Sequence, residues 1–438
     1  MPFDLPAERV LPLIEARDRG AAMNARAAWD WLTASGDVPE VTLRDLEYFL
    51  WYQLPAKFLT DHDEHRAIAL SLGDLLDDLG YADGGAICRG LVTMHVLAEW
   101  AKGPGSGHRA LRRALEESGV EPPDTGDLAW GGIMGTVEAT VFEAATLALE
   151  DALAEGEFKP GTRGWKRAQA EVMRRFLTRP AQWLDERTPQ TAVWEERERA
   201  WAEGDLVRPL RRSFIQGVRE EIVRPPAAPD GAADRMRPLL RVVEITSTRP
   251  SLTQAGYLPP GTVRELATEF GWEDFRPPRS EADVPRLMAL MDFANEAGLV
   301  HRTRRSLRLT DLGRSASADP AVLWERVVRT LAAGGDFASA VRELLLVRLL
   351  RGASDRKAVK EEIVPILSEA GWRSSGRGEL AVEMLSYTLW DAIRPMDLLG
   401  MLDVGEWPDR GLRLTEFGAG SARAILWHRS RAPRESIA

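Results

Sequence analysis

The heptapeptide LRLTDLG at Leu307–Gly313 returns as LRLTEFG at Leu412–Gly418, and this recurrence decides how the C-terminal half is parsed. Working outward, each copy is followed by an aliphatic residue and a tryptophan, Leu323-Trp324 and then Leu426-Trp427. Upstream, Glu269-Phe270-Gly271-Trp272 is echoed by Glu369-Ala370-Gly371-Trp372. Gly298-Leu299-Val300 is echoed by Gly400-Met401-Leu402. In chain order the offsets are 100, 102, 105 and 103 residues, so the two copies differ only by small insertions and deletions.

Each copy carries the same pattern of apolar positions. A helix at about 236–247 or 338–351 is followed by a second at 261–270 or 357–370 and a third at 282–297 or 379–399. In the first copy Val284, Leu287, Met291 and Ala294 fall on one face of the third helix. Two short strands follow, Leu299–Thr303 and Ser306–Thr310, joined by a basic turn. Gly313 and Gly418 are then expected to permit a turn into a last helix. Three helices and a two-stranded wing resemble the winged-helix superfamily, on a motif of the form GLV…LRLT-x-x-G present twice. The resemblance covers roughly the last 200 residues and implies a fold; winged helices serve many roles, so it implies no single function.

The N-terminal half reads as helix after helix. Thr42 with Asp45 makes a capping-box start for 43–54. From Asp63 to Leu79, Ile68, Leu72, Leu75, Leu76 and Leu79 share a stripe that Gly80 ends. Further helices are expected at 5–19, 22–34, 84–101, 107–118, 133–155, 163–177 and 190–222, with no alternating strands. Arg224–Gly231, rich in proline with nothing to bury, reads as the main linker. The expected fold is mainly α: a helical region 1–224 with a sub-break near 119–129, a linker 225–235, and winged-helix modules at 236–331 and 336–430.

With 438 residues, 44% hydrophobic and 28% charged, the chain has the composition of a soluble globular protein of two to four domains. Its apolar runs fall short of a membrane span, and its start, MPFDLPAERV, lacks the marks of a signal peptide. A single cysteine, Cys88, excludes an intrachain disulfide and fits a reducing cytoplasm. Net charge is −10, concentrated before residue 241, so any nucleic-acid contact must come from a local basic patch.

A second resemblance spans most of the chain. FLWYQLPAKFLTD (Phe49–Asp61), ESGVEPPDTGDLAWGGIMG (Glu117–Gly135), PGTRGWKRAQAEV (Pro160–Val172) and LTQAGYLPPGTV (Leu252–Val263) resemble a group of long actinobacterial proteins of unknown role. Some of that group carry the label of a plasmid-encoded open-reading-frame-three family, whose defining β-rich domain is missing from this sequence. The resemblance implies a helical N-terminal region joined to winged-helix-like modules and no activity.

Candidate contacts with nucleic acid are Arg302, Arg304, Arg305 and Arg308 of the first wing, with His301 beside them; Arg forks suit phosphate oxygens. The bland alternative is a solvated turn that keeps the hairpin edge from pairing with other chains. The second wing, Asp403–Arg410, sets Asp403, Glu406 and Asp409 against Arg410. Both third helices are acidic: Glu281, Asp283, Asp292 and Glu296 against Arg286, and Glu379, Glu383, Asp391 and Asp397 against Arg394. A helix that enters the major groove meets a wall of phosphates, so this charge argues against duplex reading. A second basic stripe, Arg163, Lys166, Arg167 and Arg174, falls within one arc of the helix at 163–177, where a wet helix face is the plainer explanation.

Asp61-His62-Asp63-Glu64-His65 sets two histidines three apart. An acidic first turn capped by Thr60 or Asp61 explains it without a metal. Gly103–His108 and Gly131–Gly135 lack the strand before and the Lys-Ser/Thr after that a phosphate loop requires. Cys88 reads as a small buried hydrophobe. No catalytic residue, cofactor or metal site is assigned. The expected function is a non-catalytic cytoplasmic adaptor or regulatory protein using the modules for contacts with a protein partner or a second copy. The alternative is a nucleic-acid-binding transcriptional regulator acting through the first wing. A third reading is an enzyme with its site in the N-terminal half, where converging carboxylates or His95 on the wall of a polar pocket would be its mark.

Overall fold

Helix takes 68% of the structure and strand 4%, as apolar residues spaced by three and four along most of the chain require. The structure, a computed structural model, describes residues 7–33, 41–204, 208–248, 250–273, 276–374, 378–405 and 411–434. The chain divides into two compact units, Met1–Val193 and Trp194–Ala438.

In the first unit, Thr42 caps Leu43–Tyr48: its hydroxyl accepts from the Asp45 amide at 3.0 Å, and the Asp45 carboxylate accepts from the Thr42 amide at 3.3 Å. The helix then widens into a π turn at Phe49–Gln53 before Leu54–Lys57. Pro55 supplies the cause. It has no N–H to offer the Trp51 carbonyl, and that carbonyl accepts instead from the Trp100 indole at 2.9 Å. The predicted stripe Ile68, Leu72, Leu75, Leu76 and Leu79 is buried in the helix His62–Asp78 and its C-cap. Gly80, at φ 84°, ends it.

Two further expected helices come out divided. The span 84–101 is two helices, Ala82–Arg89 and Leu91–Ala101, broken at Gly90. The span 190–222 is Pro189–Glu203, Pro209–Gln216 and a 3-10 turn at Arg219–Ile222. The helix expected at 107–118 begins three residues earlier, at Pro104, and takes in most of the glycine run. Gly107 lies within it because a Cβ there would come 2.2 Å from the Trp100 ring.

The second unit begins earlier than the proline-rich run suggests. Phe214, Ile215, Val218 and Ile222 belong to the same buried cluster as the C-terminal helices. The Glu369 carboxylate accepts from the Leu210 and Arg211 amides, both at 3.0 Å, at the start of Pro209–Gln216. Arg224–Gly231 is therefore a loop inside this unit and not the main boundary. A proline run marks where a helix must stop, not where packing stops.

Two stretches of this unit share the order helix, helix, helix, strand, strand, and the second has one more short strand after its first helix. The first runs Arg237–Ser247, Pro260–Phe270 and Pro285–Glu296, then strands β1 (Val300–Arg302) and β2 (Leu307–Leu309). The second runs Phe337–Leu350, β3 (Ser354–Asp355), Arg356–Glu369 and Leu385–Leu398, then β4 (Leu402–Val404) and β5 (Gly411–Leu414). The sheets are separate: β1-β2, and β3-β5-β4, all pairs antiparallel.

Their corners match bond for bond. The Thr310 hydroxyl donates to the Gly298 carbonyl at 2.7 Å and accepts from the Gly313 amide at 2.9 Å. The Thr415 hydroxyl donates to the Gly400 carbonyl at 2.9 Å and accepts from the Gly418 amide at 2.9 Å. Gly298 and Gly400, at φ 64° and 70°, end the preceding helices. Gly313 and Gly418 sit inside the first turns of the last helices and have ordinary φ, so the expected turn role is wrong. They are glycine because a Cβ would come 2.1 Å from the Leu299 carbonyl oxygen and 1.9 Å from that of Met401.

Candidate interaction site

Arg302, on the β1–β2 hairpin, is not free. It leaves β1 to meet Glu281, which is fully buried, at 2.6 Å, and also donates to the Gly256 carbonyl at 2.7 Å. Glu281 uses its other oxygen to accept from the Leu258 amide at 2.9 Å. The acid counted against duplex binding is therefore neutralised within the fold, and the base counted for it is spent. Asp283 is used as well: its carboxylate accepts from the Ser280 amide in a capping box that opens the 3-10 turn Glu281–Asp283 ahead of the third helix. Arg304, Arg305 and Arg308 stay exposed, and none joins an ion pair among the described residues. In the β4–β5 hairpin Asp403 pairs with Arg413 across the strands; Glu406, Asp409 and Arg410 lie outside the described residues.

The two third helices, Pro285–Glu296 and Leu385–Leu398, pack against each other. An Arg394 guanidinium donates to the Pro285 carbonyl, and Arg286 stands 3.8 Å from Asp397. Between the helices lies a half-open groove of about 230 Å³. Leu290, Phe293 and Leu398 wall it, and Asp292, Glu296 and Asp391 are on its lining as exposed carboxylates. Arg342, from the helix Phe337–Leu350, also lines it. Its Nε is buried without a hydrogen-bond partner among the described residues, and its Nη2 donates to the Ser339 hydroxyl at 3.4 Å. Burial pulls the guanidinium below the ordinary arginine range, with Glu296 and Asp336 offsetting only part of that. Sequence reasoning passed over Arg342. The signal was there: an Arg-Glu pair inside the apolar run AVRELLLVRLL.

The Glu of that pair, Glu343, is enclosed. It accepts from Arg211 at 2.7 Å, Arg429 at 3.1 Å and the Trp201 indole at 3.1 Å. Burial works against its charge, but the two guanidiniums outweigh it and hold the carboxyl below its usual range. At the start of the second third helix, Met384, Tyr387 and Trp390 are exposed, Tyr387 by 77%. Arg356 lies over the Trp390 ring at 5.0 Å.

The basic stripe of the first unit is looser than its sequence suggests. The helix begins at Trp165, so Arg163 precedes it. Lys166 lies over Trp165 at 5.5 Å, Arg174 pairs with Glu171 at 3.1 Å, and Arg167 is exposed. In Asp61–His65, Asp61 caps the helix by accepting from Glu64 at 2.9 Å, and His65 is buried with its Nε2 3.2 Å from the Phe58 carbonyl oxygen. No group of three or more His, Cys, Asp or Glu suited to a metal ion occurs among the described residues. Burial pushes the Cys88 thiol up to about 12, which makes it a poor nucleophile. His95 is exposed on Leu91–Ala101.

Carboxylates do gather in the first unit. Glu47 is buried, and burial lifts its carboxyl to about 8; Glu150 and Glu121 add to the rise while Ser118 and Arg44 oppose it. Arg44 pairs with Glu121 at 3.0 Å, and its amide donates to Glu150 at 3.1 Å. This cluster links the helix at Leu43 to Thr136–Ala154. Among the described residues, no helix is long and apolar enough to cross a membrane. Comparison of the chain with protein-family models, with curated proteins and with solved structures found no match in any of the three.

Proposed function

We propose that the second unit carries two winged-helix modules and that the chain is a non-catalytic cytoplasmic adaptor or regulatory protein that meets a protein partner through them. The observation that carries this reading is the pairing of the third helices. A duplex reader needs that helix free to enter the major groove. Here each third helix is covered along one side by the other, with Arg394 and Arg286 committed to the contact. The charges left exposed beside it, Asp292, Glu296 and Asp391, would face phosphates with the wrong sign. The exposed Met384, Tyr387 and Trp390 support protein contact, since large apolar groups together on one helix commonly mark such surfaces. Affinity purification from the native cell, with and without nuclease, tests this. A protein partner that survives nuclease and is lost with Tyr387→Ala plus Trp390→Ala supports the reading. Co-purifying nucleic acid with no protein partner overturns it.

One observation favours a second reading, nucleic-acid binding through the first wing: Arg304, Arg305 and Arg308 are exposed and join no ion pair among the described residues. A gel shift that weakens steeply with salt and disappears when these three become alanine would establish it. Arg302 must stay out of that variant, because it holds Glu281.

A further inference from the structure

We infer that the groove between the third helices is a binding site for a small zwitterion, an α-amino acid with an apolar side chain. The inference goes beyond the adaptor reading and does not depend on it. Three features of the groove each ask for a different part of one ligand. Arg342 is half-buried on the groove lining, and no carboxylate stands within ion-pair distance of its guanidinium among the described residues. A ligand carboxylate would pair with that guanidinium through a charge-assisted bond. Asp292, Glu296 and Asp391 are carboxylates without ion pairs among the described residues, and an ammonium group complements them. Leu290, Phe293 and Leu398 provide apolar wall for an aliphatic or aromatic side chain.

Charge and size narrow the ligand. A simple anion would satisfy Arg342 but sit among three carboxylates, and a simple cation would do the reverse beside the half-buried Arg342. The volume of about 230 Å³ lies below the ~300–1,000 Å³ of pockets that take drug-sized molecules and suits something smaller. Arg394, the remaining cation on the lining, is held by the Pro285 carbonyl.

The test uses the full chain, with leucine, methionine and phenylalanine as probes. Leucinamide, which lacks the carboxylate, and 4-methylpentanoate, which lacks the amine, serve as controls. Thermal unfolding and titration calorimetry read the outcome. At least one of the three amino acids should raise Tm by a few degrees at saturation, with leucinamide and 4-methylpentanoate about tenfold weaker or more. Arg342→Gln and Glu296→Gln should each weaken binding by about tenfold. If Arg342→Gln fails to fold, the exposed variants Asp292→Asn, Glu296→Gln and Asp391→Asn decide the matter. The proposal is overturned if none of the three amino acids binds, if either control binds as tightly as leucine, or if the carboxylate variants leave affinity unchanged. Loss of the protein partner with intact amino-acid binding would sink the adaptor reading alone.

Discussion

The carbonyl oxygen of Met401 lies so close to Gly418 that a Cβ on that residue would stand 1.9 Å from it. Leu299 and Gly313 repeat the relationship at 2.1 Å. Backbone and not a flexible side chain makes the approach, so the neighbour cannot swing away. Gly418→Ala and Gly313→Ala should each destabilise the second unit by roughly 2–4 kcal/mol. Gly261→Ala, with nothing within 4 Å of its Cβ, should change stability little. Urea unfolding followed by tryptophan fluorescence measures the difference. A Gly418→Ala protein as stable as the parent would mean that the corner is packed otherwise.

Arg302 and its neighbours separate by burial. Arg302→Gln leaves Glu281 in the core without its cation and should cost about 3–5 kcal/mol. Arg304→Gln and Arg305→Gln, both exposed, should stay within about 0.5 kcal/mol of the parent. Equal effects at all positions in thermal melts would contradict the pairing with Glu281.

Glu47 gives the first unit a pH dependence of definite sign. Burial raises its carboxyl to about 8 in the fold, against 4.5 for an ordinary glutamate. Between those values the native state holds the proton more tightly than the unfolded chain does. Its contribution is therefore complete below the lower value and is lost as pH rises through about 8. Glu47→Gln should flatten that slope and gain on the order of 1–3 kcal/mol relative to the parent above the higher value, with little difference at about pH 5. Denaturant curves at several pH values would show it; parallel curves for the two proteins would rule it out.

Glu343 works in the opposite direction. Its depressed carboxyl, held by Arg211 and Arg429 against the effect of burial, contributes stability that is present at neutral pH and lost in acid. Arg429→Met removes one partner and should cost about 3 kcal/mol or more. The combined Glu343→Leu, Arg429→Met protein should recover part of that loss, and a double-mutant cycle on thermal stability would read the recovery.

Much of this architecture is legible in the chain because periodicity and capping are local. Thr42 with Asp45, the leucine stripe before Gly80 and the twin LRLT corners all announce themselves within a few residues. What escaped depends on partners far away in sequence. Glu281 looks like a helix-dipole acid until Arg302, 21 residues on, is seen to reach it. Gly313 looks like a turn until Leu299 is placed beside it. The groove was invisible for the same reason: Asp292, Arg342 and Asp391 come from three separate helices.

The enclosed position of Glu343 bears on how the molecule can be cut. A fragment begun after Gly231, at the break that the prolines advertise, would omit Trp201 and Arg211 and keep only Arg429 against a sequestered carboxylate. It would also strip Phe214, Ile215, Val218 and Ile222 from the apolar interior they complete. A C-terminal piece meant to fold alone has to start ahead of Trp194, and insolubility of a shorter one would speak of a missing wall, not of an unstable module.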